Sequence, residues 1–463
     1  MSSDASTEAV TVLDPKYLDS DPVHENLAPA GNGLDFESIV SGAGVSVEQV
    51  GKIVRAYGTT VHVSGITAKI GQRCRISSPG ERKAMLADVV GIVDNTLILF
   101  LLGSLDGVSN RSEVRLLDAG KSIPFSESLA GCIVDGSGKL IYQPHTQLQV
   151  VDVPIERDAP DALKRRPIDN VFSTGVKAID TLLTVGEGQR IGIFAAAGGG
   201  KSTLLSMLAR HSRADVIVIG LIGERGREVR EFIEENLGAE GMARAVLVVS
   251  TSDRPAMERV NAAQCATTIA EGYRARGKRV LLLMDSVTRY ARALREIGLS
   301  VGEPPVRRGF PPSVFAELPK LLERTGNNEK GSITAFYTIL AEDEQTSDPV
   351  AEEVRSILDG HIVLTRALGE SGHYPPIDVL ASTSRLFLKL ASQKQLDAAN
   401  RVRRLMSKYQ DMELLIQMGE YQAGSDALAD EAVAKRDEIE SLLKQQPHSN
   451  VSYEESLNML MSI

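Results

Sequence analysis

The stretch Arg190-Ile-Gly-Ile-Phe-Ala-Ala-Ala-Gly-Gly-Gly-Lys-Ser-Thr203 decides how the rest of the chain is read. Arg190 to Phe194 is a short apolar run of strand length, and Thr203 to Arg210 reads as helix. The template for a phosphate-binding loop is Gly-x-x-x-x-Gly-Lys-Ser/Thr between a strand and a helix, and every position matches except the first glycine, which is Ala195. The loop proper is Ala197, Gly198, Gly199 and Gly200, closed by Lys201, Ser202 and Thr203. Glycines let backbone N–H groups turn inward around phosphate oxygens, and the following helix presents its positive end to them. Lys201 is placed to reach the β- and γ-phosphates. The Ser202 hydroxyl is placed to ligate Mg²⁺, whose remaining ligands are phosphate oxygens and waters.

Working outward, Val216 to Ile222 is a buried strand, followed by Gly223-Glu224-Arg225-Gly226-Arg227-Glu228. In open α/β sheets ligands bind beyond the carboxyl ends of strands. Glu224 is therefore placed to orient or activate an attacking water; the alternative is a surface carboxylate at a helix start. Val280 to Met284 is an apolar strand ending in Asp285, which can hold a metal-bound water. Asp285 also stands where it could cap the helix from Val287, and the two roles are compatible. The strand–helix rhythm continues through helices at Arg227 to Leu237, Pro255 to Arg276 and Ser313 to Arg324. It ends with strands at Ile333 to Leu340 and Ile362 to Thr365. This alternation predicts an α/β fold with a mostly parallel sheet and helices on both faces.

On the amino-terminal side, short strands from Lys52 to Leu117 broken by Gly, Asp and Asn predict a small β-barrel over 48–118. The nucleotide-binding domain is expected over 119–384. From 385 to 463 helix formers take over, with an apolar stripe from Val402 to Ile416 and a second helix from Asp426 to Lys444. Ser452 and Glu455 form a capping box that opens a last helix. Residues 1–47 read as an acidic flexible extension; residues 1–40 hold eight acids and one base, a net charge of −7 out of −10 for the chain. The 463 residues fit about three domains at the usual ~150 residues each. With 43% apolar and 24% charged residues the composition is that of a soluble globular protein. No apolar run is long enough for a membrane span, and the amino terminus shows no secretory signal. Cys74, Cys132 and Cys265 are too few and too widely spaced for a disulfide framework or a zinc site, which suits a reducing cytosol.

These residues together carry a resemblance. The loop from Ala195 to Thr203, Gly223 to Phe232, Ser250-Thr-Ser-Asp-Arg-Pro255, Leu283 to Arg289, Pro311 to Arg324 and Tyr374 to Ser384 resemble the type III secretion ATPases. That family is related to the catalytic subunit of the rotary ATP synthases. The likeness runs over roughly 48–463. The loop Ala-Ala-Ala-Gly-Gly-Gly-Lys-Ser is similar to the virulence or symbiosis injectisome branch, whereas flagellar export ATPases tend to read Gly-Ser-Gly-Val-Gly-Lys-Ser.

The resemblance implies a RecA-like ATPase core and a homohexameric ring with ATP and Mg²⁺ at subunit interfaces. It implies a place on the cytoplasmic side of the inner membrane, beneath an export gate. The implied partners are a central stalk, peripheral stator proteins and chaperone–effector complexes, which the ring releases and unfolds for export. Carried over by position, Lys201 and Ser202 bind the triphosphate and Mg²⁺, Glu224 polarises the water, Asp285 supports the metal, and Arg225 lies near the γ-phosphate. Arg385, after the Ser382-x-Ser384 pattern, matches the arginine that enters the neighbouring subunit's site; the alternative is a salt-bridging arginine at a helix start.

Three other readings compete. Non-hydrolysing ring subunits replace the catalytic glutamate, often with Gln, and Glu224 argues against that. A hexameric RNA translocase wants a basic, aromatic-bearing front domain. Here the front is acidic, aromatic residues are 4% and there is no Trp, so nucleic acid is not expected as a partner. A flagellar export ATPase differs in system rather than chemistry.

Overall fold

The computed structural model describes residues 48–463 apart from 82, 83, 118, 119, 145–147, 197 and 341–347. The acidic extension over 1–47 and the loop residue Ala197 lie outside the described residues.

Strands β1 (Gly51–Tyr57), β2 (Thr60–Ser64), β3 (Arg73–Ser77), β4 (Met85–Val93), β5 (Thr96–Leu101) and β6 (Glu113–Leu116) close into a barrel of order β1-β2-β5-β4-β3-β6. Closure leaves no unpaired strand edge. Alternate residues point inward, so Val61, Val63, Cys74, Ile76, Val89, Leu99 and Val114 form one small core. Asp94 and Asn95 take positive φ (46° and 62°) in the two-residue turn joining β4 to β5, the geometry that Asp and Asn tolerate best.

Next come β7 (Ser122–Phe125), β8 (Ile133–Asp135), β9 (Leu140–Tyr142) and β10 (Val151–Pro154), four short strands that the sequence pattern did not announce. β7 and β10 pair with each other, while β8 and β9 join the main sheet. That sheet also holds β11 (Arg190–Ala195), β12 (Val216–Glu224), β13 (Ala245–Thr251), β14 (Arg279–Asp285), β15 (Ser332–Leu340), β16 (Gly360–Leu364) and β17 (Ile377–Ser384). Its order is β17-β16-β11-β15-β14-β12-β13-β8-β9, parallel throughout except at the two outermost pairs. The expected α/β fold is present, with antiparallel strands added at both edges.

The continuous apolar runs resolve into two faces. Val216, Val218, Val280 and Leu282 enter one core, with the helix Ala256–Arg274. Ile217, Ile219, Leu281 and Leu283 enter the other, with the helix Lys201–His211 that follows the loop. Both faces are covered, as parallel sheets require.

The carboxyl-terminal residues form the helices Gln393–Gln417, Ala427–Ala434, Arg436–Leu443 and Tyr453–Ser462. They pack on the same core as the loop helix through Ala399, Val402, Leu405, Ile439, Leu442 and Leu460. The single helix expected from Asp426 to Lys444 is two. The backbone turns at Lys435 (φ −93°, ψ 0°), and Asp437 and Glu438 then occupy the first turn of the second helix, where the dipole favours acids. The helix expected from Arg227 to Leu237 is also interrupted: Gly226–Glu231 is α-helical, Phe232–Leu237 is π-helical, and Gly238–Ala243 completes it. The capping box at Ser452 and Glu455 forms as read.

Candidate active site

The loop leaves the sheet at Ala195, which ends β11 in extended conformation between Leu340 and Leu364. A residue in a strand needs no glycine, which explains why alanine serves at the template's first position. Gly198 and Gly200 both sit at φ +78°, the left-handed region that glycine alone occupies freely. A Cβ on Gly200 would also lie 2.8 Å from the Pro376 ring. Gly200 is the N-cap of the helix Lys201–His211 and offers no side chain to its first N–H groups. Those donors remain for an anion.

Three charges from three elements meet beside the loop. Lys201 donates from Nζ to Asp285 Oδ1 at 2.6 Å and to Glu224 Oε1 at 3.5 Å. Asp285 ends β14 and Glu224 ends β12, which runs through a bulge at Gly223 (φ +71°). The reading of β12 as ending at Ile222 is thus two residues short, and Glu224 is a buried strand-end residue rather than a surface carboxylate at a helix start. Asp285 does not cap the next helix either; Ser286 does, accepting from the Arg289 N–H. This leaves Asp285 free for the site, where Thr338 on β15 donates to its Oδ1 at 2.8 Å.

Burial, and then the charge of Asp285, push the Glu224 carboxyl up to about 7, against the pull of Lys201. Glu228 behaves differently: burial pushes it up, but its hydrogen bond with Glu224 and the Arg225 charge hold it below its ordinary value. For Lys201, burial works to lower the pKa; the Asp285 and Glu224 charges outweigh it and keep the ammonium protonated.

These residues line a cleft of about 340 Å³ with Ser202, Arg225, Glu228, Phe232 and Arg289. Ser202 is exposed in the first turn of the loop helix. Arg225 lies at the rim, largely exposed, and pairs with Glu228 at 3.0 Å. Glu228, Arg289, Thr338 and the Tyr374–Pro376 wall against Gly200 were not singled out from the sequence. Glu228 lies in the first turn of the helix that follows Glu224. Thr338 gives no local signal, because only the β14–β15 register brings it to Asp285.

Arg289 Nε is buried without an acceptor inside this cleft. An orphaned guanidinium donor facing a glycine loop is a group waiting for an anion. The donors available to a cation are oxygens: the Ser202 hydroxyl and the Asp285 and Glu224 carboxylates. That set suits a hard divalent ion such as Mg²⁺. Among the described residues no group of three or more His, Cys, Asp or Glu could hold a metal ion. Most ligands of such an ion would therefore come from the phosphates and water.

Arg385 is elsewhere. Its N–H donates to the Asp359 carbonyl at 3.0 Å, and the Asp359 N–H in turn donates to the Arg190 carbonyl at 2.9 Å, at the start of β11. The loop leaves from the other end of β11. Five residues of strand separate the two, about 16 Å at the usual rise. Arg385 is exposed, and among the described residues no carboxylate forms an ion pair with it.

Comparison with known proteins identifies the family. The nucleotide-binding domain of the ATP synthase alpha/beta family matches residues 175–384, and the EscN-type type III secretion ATPase carboxyl-terminal domain matches 391–462. A type 3 secretion system ATPase of Xanthomonas euvesicatoria is 51% identical over 413 residues, covering 89% of this chain and 93% of the relative. One from Sinorhizobium fredii is 45% identical, covering 95% and 98%. A flagellum-specific ATP synthase of Bacillus subtilis is 44% identical, covering 90% and 96%. The solved structure of the assembled ATPase EscN from enteropathogenic E. coli superposes with a TM-score of 0.84 at 46% identity, covering 89% of this chain and 99% of EscN. EscN has also been solved in complex with its central stalk EscO, with a TM-score of 0.82. Among the described residues no helix is long and apolar enough to cross a membrane. With the phosphate loop, its two strand-end carboxylates and the EscN-type carboxyl-terminal helices in place, the chain belongs to the ATP-hydrolysing type III secretion system ATPases.

Proposed function

We propose that this chain forms a homohexameric ring that hydrolyses MgATP at subunit interfaces to drive type III protein secretion. It works at the cytoplasmic face of the inner membrane, under the export gate, held by a central stalk and peripheral stator proteins. Its cargo is chaperone-bound effector, which it releases and unfolds. The observation that carries the chemistry is the Lys201 ammonium held between the Asp285 and Glu224 carboxylates beside the glycine loop.

A triphosphate entering the loop offers Lys201 a stronger anion than either carboxylate, and gives Arg289 the acceptor it lacks. Lys201 then leaves Asp285 and Glu224. Asp285, held by Thr338, and Ser202 would hold Mg²⁺ directly or through water. When bound, Mg²⁺ neutralises charge developing on the β- and γ-oxygens. Glu224, freed from the lysine, orients the attacking water. Arg225 at the rim lies near the γ-phosphate. Arg385 stands too far along β11 to serve its own loop, and completes the site of the next subunit.

The test is phosphate release against protein concentration. Specific activity should rise as rings form, and Lys201→Ala should abolish it with the fold intact, because Lys201 packs no core. A Lys201→Ala protein that turns over ATP at near wild-type rate would overturn the site. The flagellar relatives at 44–45% identity share this chemistry, so binding to an injectisome stalk rather than a flagellar one decides the system.

A further inference from the structure

Between the helices Arg436–Leu443 and Tyr453–Ser462 the chain crosses back to the nucleotide-binding domain. Gln445 in this crossing is buried, and its side-chain amide is fully used. Nε2 donates to the carbonyls of Gly175 and Ser449, both at 2.8 Å, and Oε1 accepts from the Lys177 N–H at 2.9 Å. A primary amide has two N–H donors and one carbonyl, and here each has a partner. The segment is anchored further on as well. The His211 ring meets the Pro447 carbonyl at 2.9 Å, and Arg210 meets His448. Both contacts fall at the carboxyl end of the loop helix Lys201–His211.

The anchoring fixes one more group. The Gln445 backbone N–H donates to the Tyr374 carbonyl at 2.8 Å. Tyr374 opens the wall that stands against the phosphate loop. A Cβ on Gly200 would lie 2.8 Å from Pro376 and 3.8 Å from the Tyr374 ring. Tyr374 nevertheless keeps 43% of its surface exposed. The route from the carboxyl-terminal helices to the loop is therefore Gln445, then Tyr374 and Pro376, then Gly200.

We propose that Gln445 is a positioning residue for the nucleotide. It pins the Tyr374–Pro376 wall to the phosphate loop and so ties ATP affinity to the seating of the carboxyl-terminal helical unit. The inference rests on the reading of the loop as the ATP site. Under this proposal the wall holds the nucleotide alike before and during transfer, whereas Lys201, Glu224 and Asp285 lie on other elements. Loosening the wall should therefore raise KM and spare kcat.

The experiment is a double-mutant cycle between Gln445→Leu and Tyr374→Ala, read as KM and kcat for ATP. Gln445→Leu should raise KM about tenfold with kcat within about twofold, the scale of losing one buried hydrogen-bonded anchor. In the Tyr374→Ala background its effect should shrink, leaving only what passes through Pro376 to Gly200. Gln445→Met keeps the length of the side chain without its amide; it should shift KM in the same direction, and it carries the test if the leucine variant does not fold. An unchanged KM in the Gln445 variants, or an effect that adds in full to Tyr374→Ala, overturns the proposal. A Tyr374→Ala protein with wild-type KM also overturns it, since the wall then holds no nucleotide, while leaving the loop assignment to the Lys201 test.

Discussion

The two ends of β11 differ in what they have already satisfied. At the carboxyl end, Lys201 is ion-paired with Asp285 and Glu224 within a single chain. At the amino end, Arg190 is paired with Asp359 and Glu323, while Arg385 beside it is exposed and, among the described residues, has no ion-pair partner. Buried charges must be paired or they cost several kcal/mol, and at the loop end the partners lie within one chain, where an arriving anion can exchange with them. The exposed end bears no such constraint. On the ring reading proposed above, it holds a guanidinium for the phosphate of a neighbouring subunit.

The largest effect should come from the exposed end. Arg385→Ala should lower kcat by about 10³–10⁵, the scale of an arginine supplied to a phosphoryl-transfer site, with ATP binding kept. Mixing it with Glu224→Gln should restore partial activity where rings exchange subunits. In a mixed interface one subunit gives an intact loop and Glu224, and its neighbour gives Arg385. Co-assembly without any return of activity would break the comparison. Glu224→Gln alone should cost about 10²–10⁴ in kcat and keep binding, because the amide has the shape but not the charge that orients water. Normal hydrolysis by that variant would reopen the non-catalytic ring-subunit reading.

How much of this the sequence could show depends on distance along the chain. The loop was legible because its requirements are local: two left-handed glycines, a lysine and a hydroxyl in consecutive positions. Asp285 and Glu224 were legible because each ends an apolar strand, although the bulge at Gly223 hid that Glu224 belongs to the strand. Thr338 was not, because only the register between β14 and β15 brings it to Asp285, and Arg289, one turn into the helix after Asp285, was read only as the end of a motif. Arg385 was singled out only through family resemblance. Its placement at the far end of β11 follows from the antiparallel β16–β17 register, which no local pattern encodes. Short edge strands such as β8 and β9 lack enough alternation to announce themselves.

A smaller effect should follow from the support beneath Asp285. Thr338→Val keeps the shape of a buried β-branched residue but removes the 2.8 Å hydrogen bond to Oδ1. Outer partners of metal-supporting carboxylates are typically worth about 10–100-fold in metal affinity or activity. The Mg²⁺ concentration giving half-maximal hydrolysis should rise on that scale, with little change in ATP binding measured without metal. An unchanged Mg²⁺ dependence would show that Lys201, not Thr338, sets the Asp285 position.

The smallest effect concerns nucleotide-free stability and sharpens what burying Glu224 costs. The Glu224 carboxyl is held near 7, against 4.5 as its ordinary value, first by burial and then by the Asp285 charge. Between those two values the folded chain keeps a proton that the unfolded chain has released. Where the folded state binds more protons, stability falls as pH rises. The contribution is therefore fully present below about 4.5 and gone above about 7. A glutamine at 224 has no proton to lose, so Glu224→Gln should leave nucleotide-free stability nearly unchanged at pH 5 and raise it at pH 8. The gain at pH 8 should be on the order of 1–3 kcal/mol, since a tenfold change in proton affinity corresponds to about 1.4 kcal/mol and Lys201 offsets part of it. Thermal unfolding of both proteins in EDTA at the two pH values measures the difference. Equal midpoints at pH 8 would mean that Lys201 and Glu228 already absorb the whole cost of the buried carboxylate. Together with lost hydrolysis, the expected gain would mark Glu224 as a residue kept for chemistry at the expense of the resting fold.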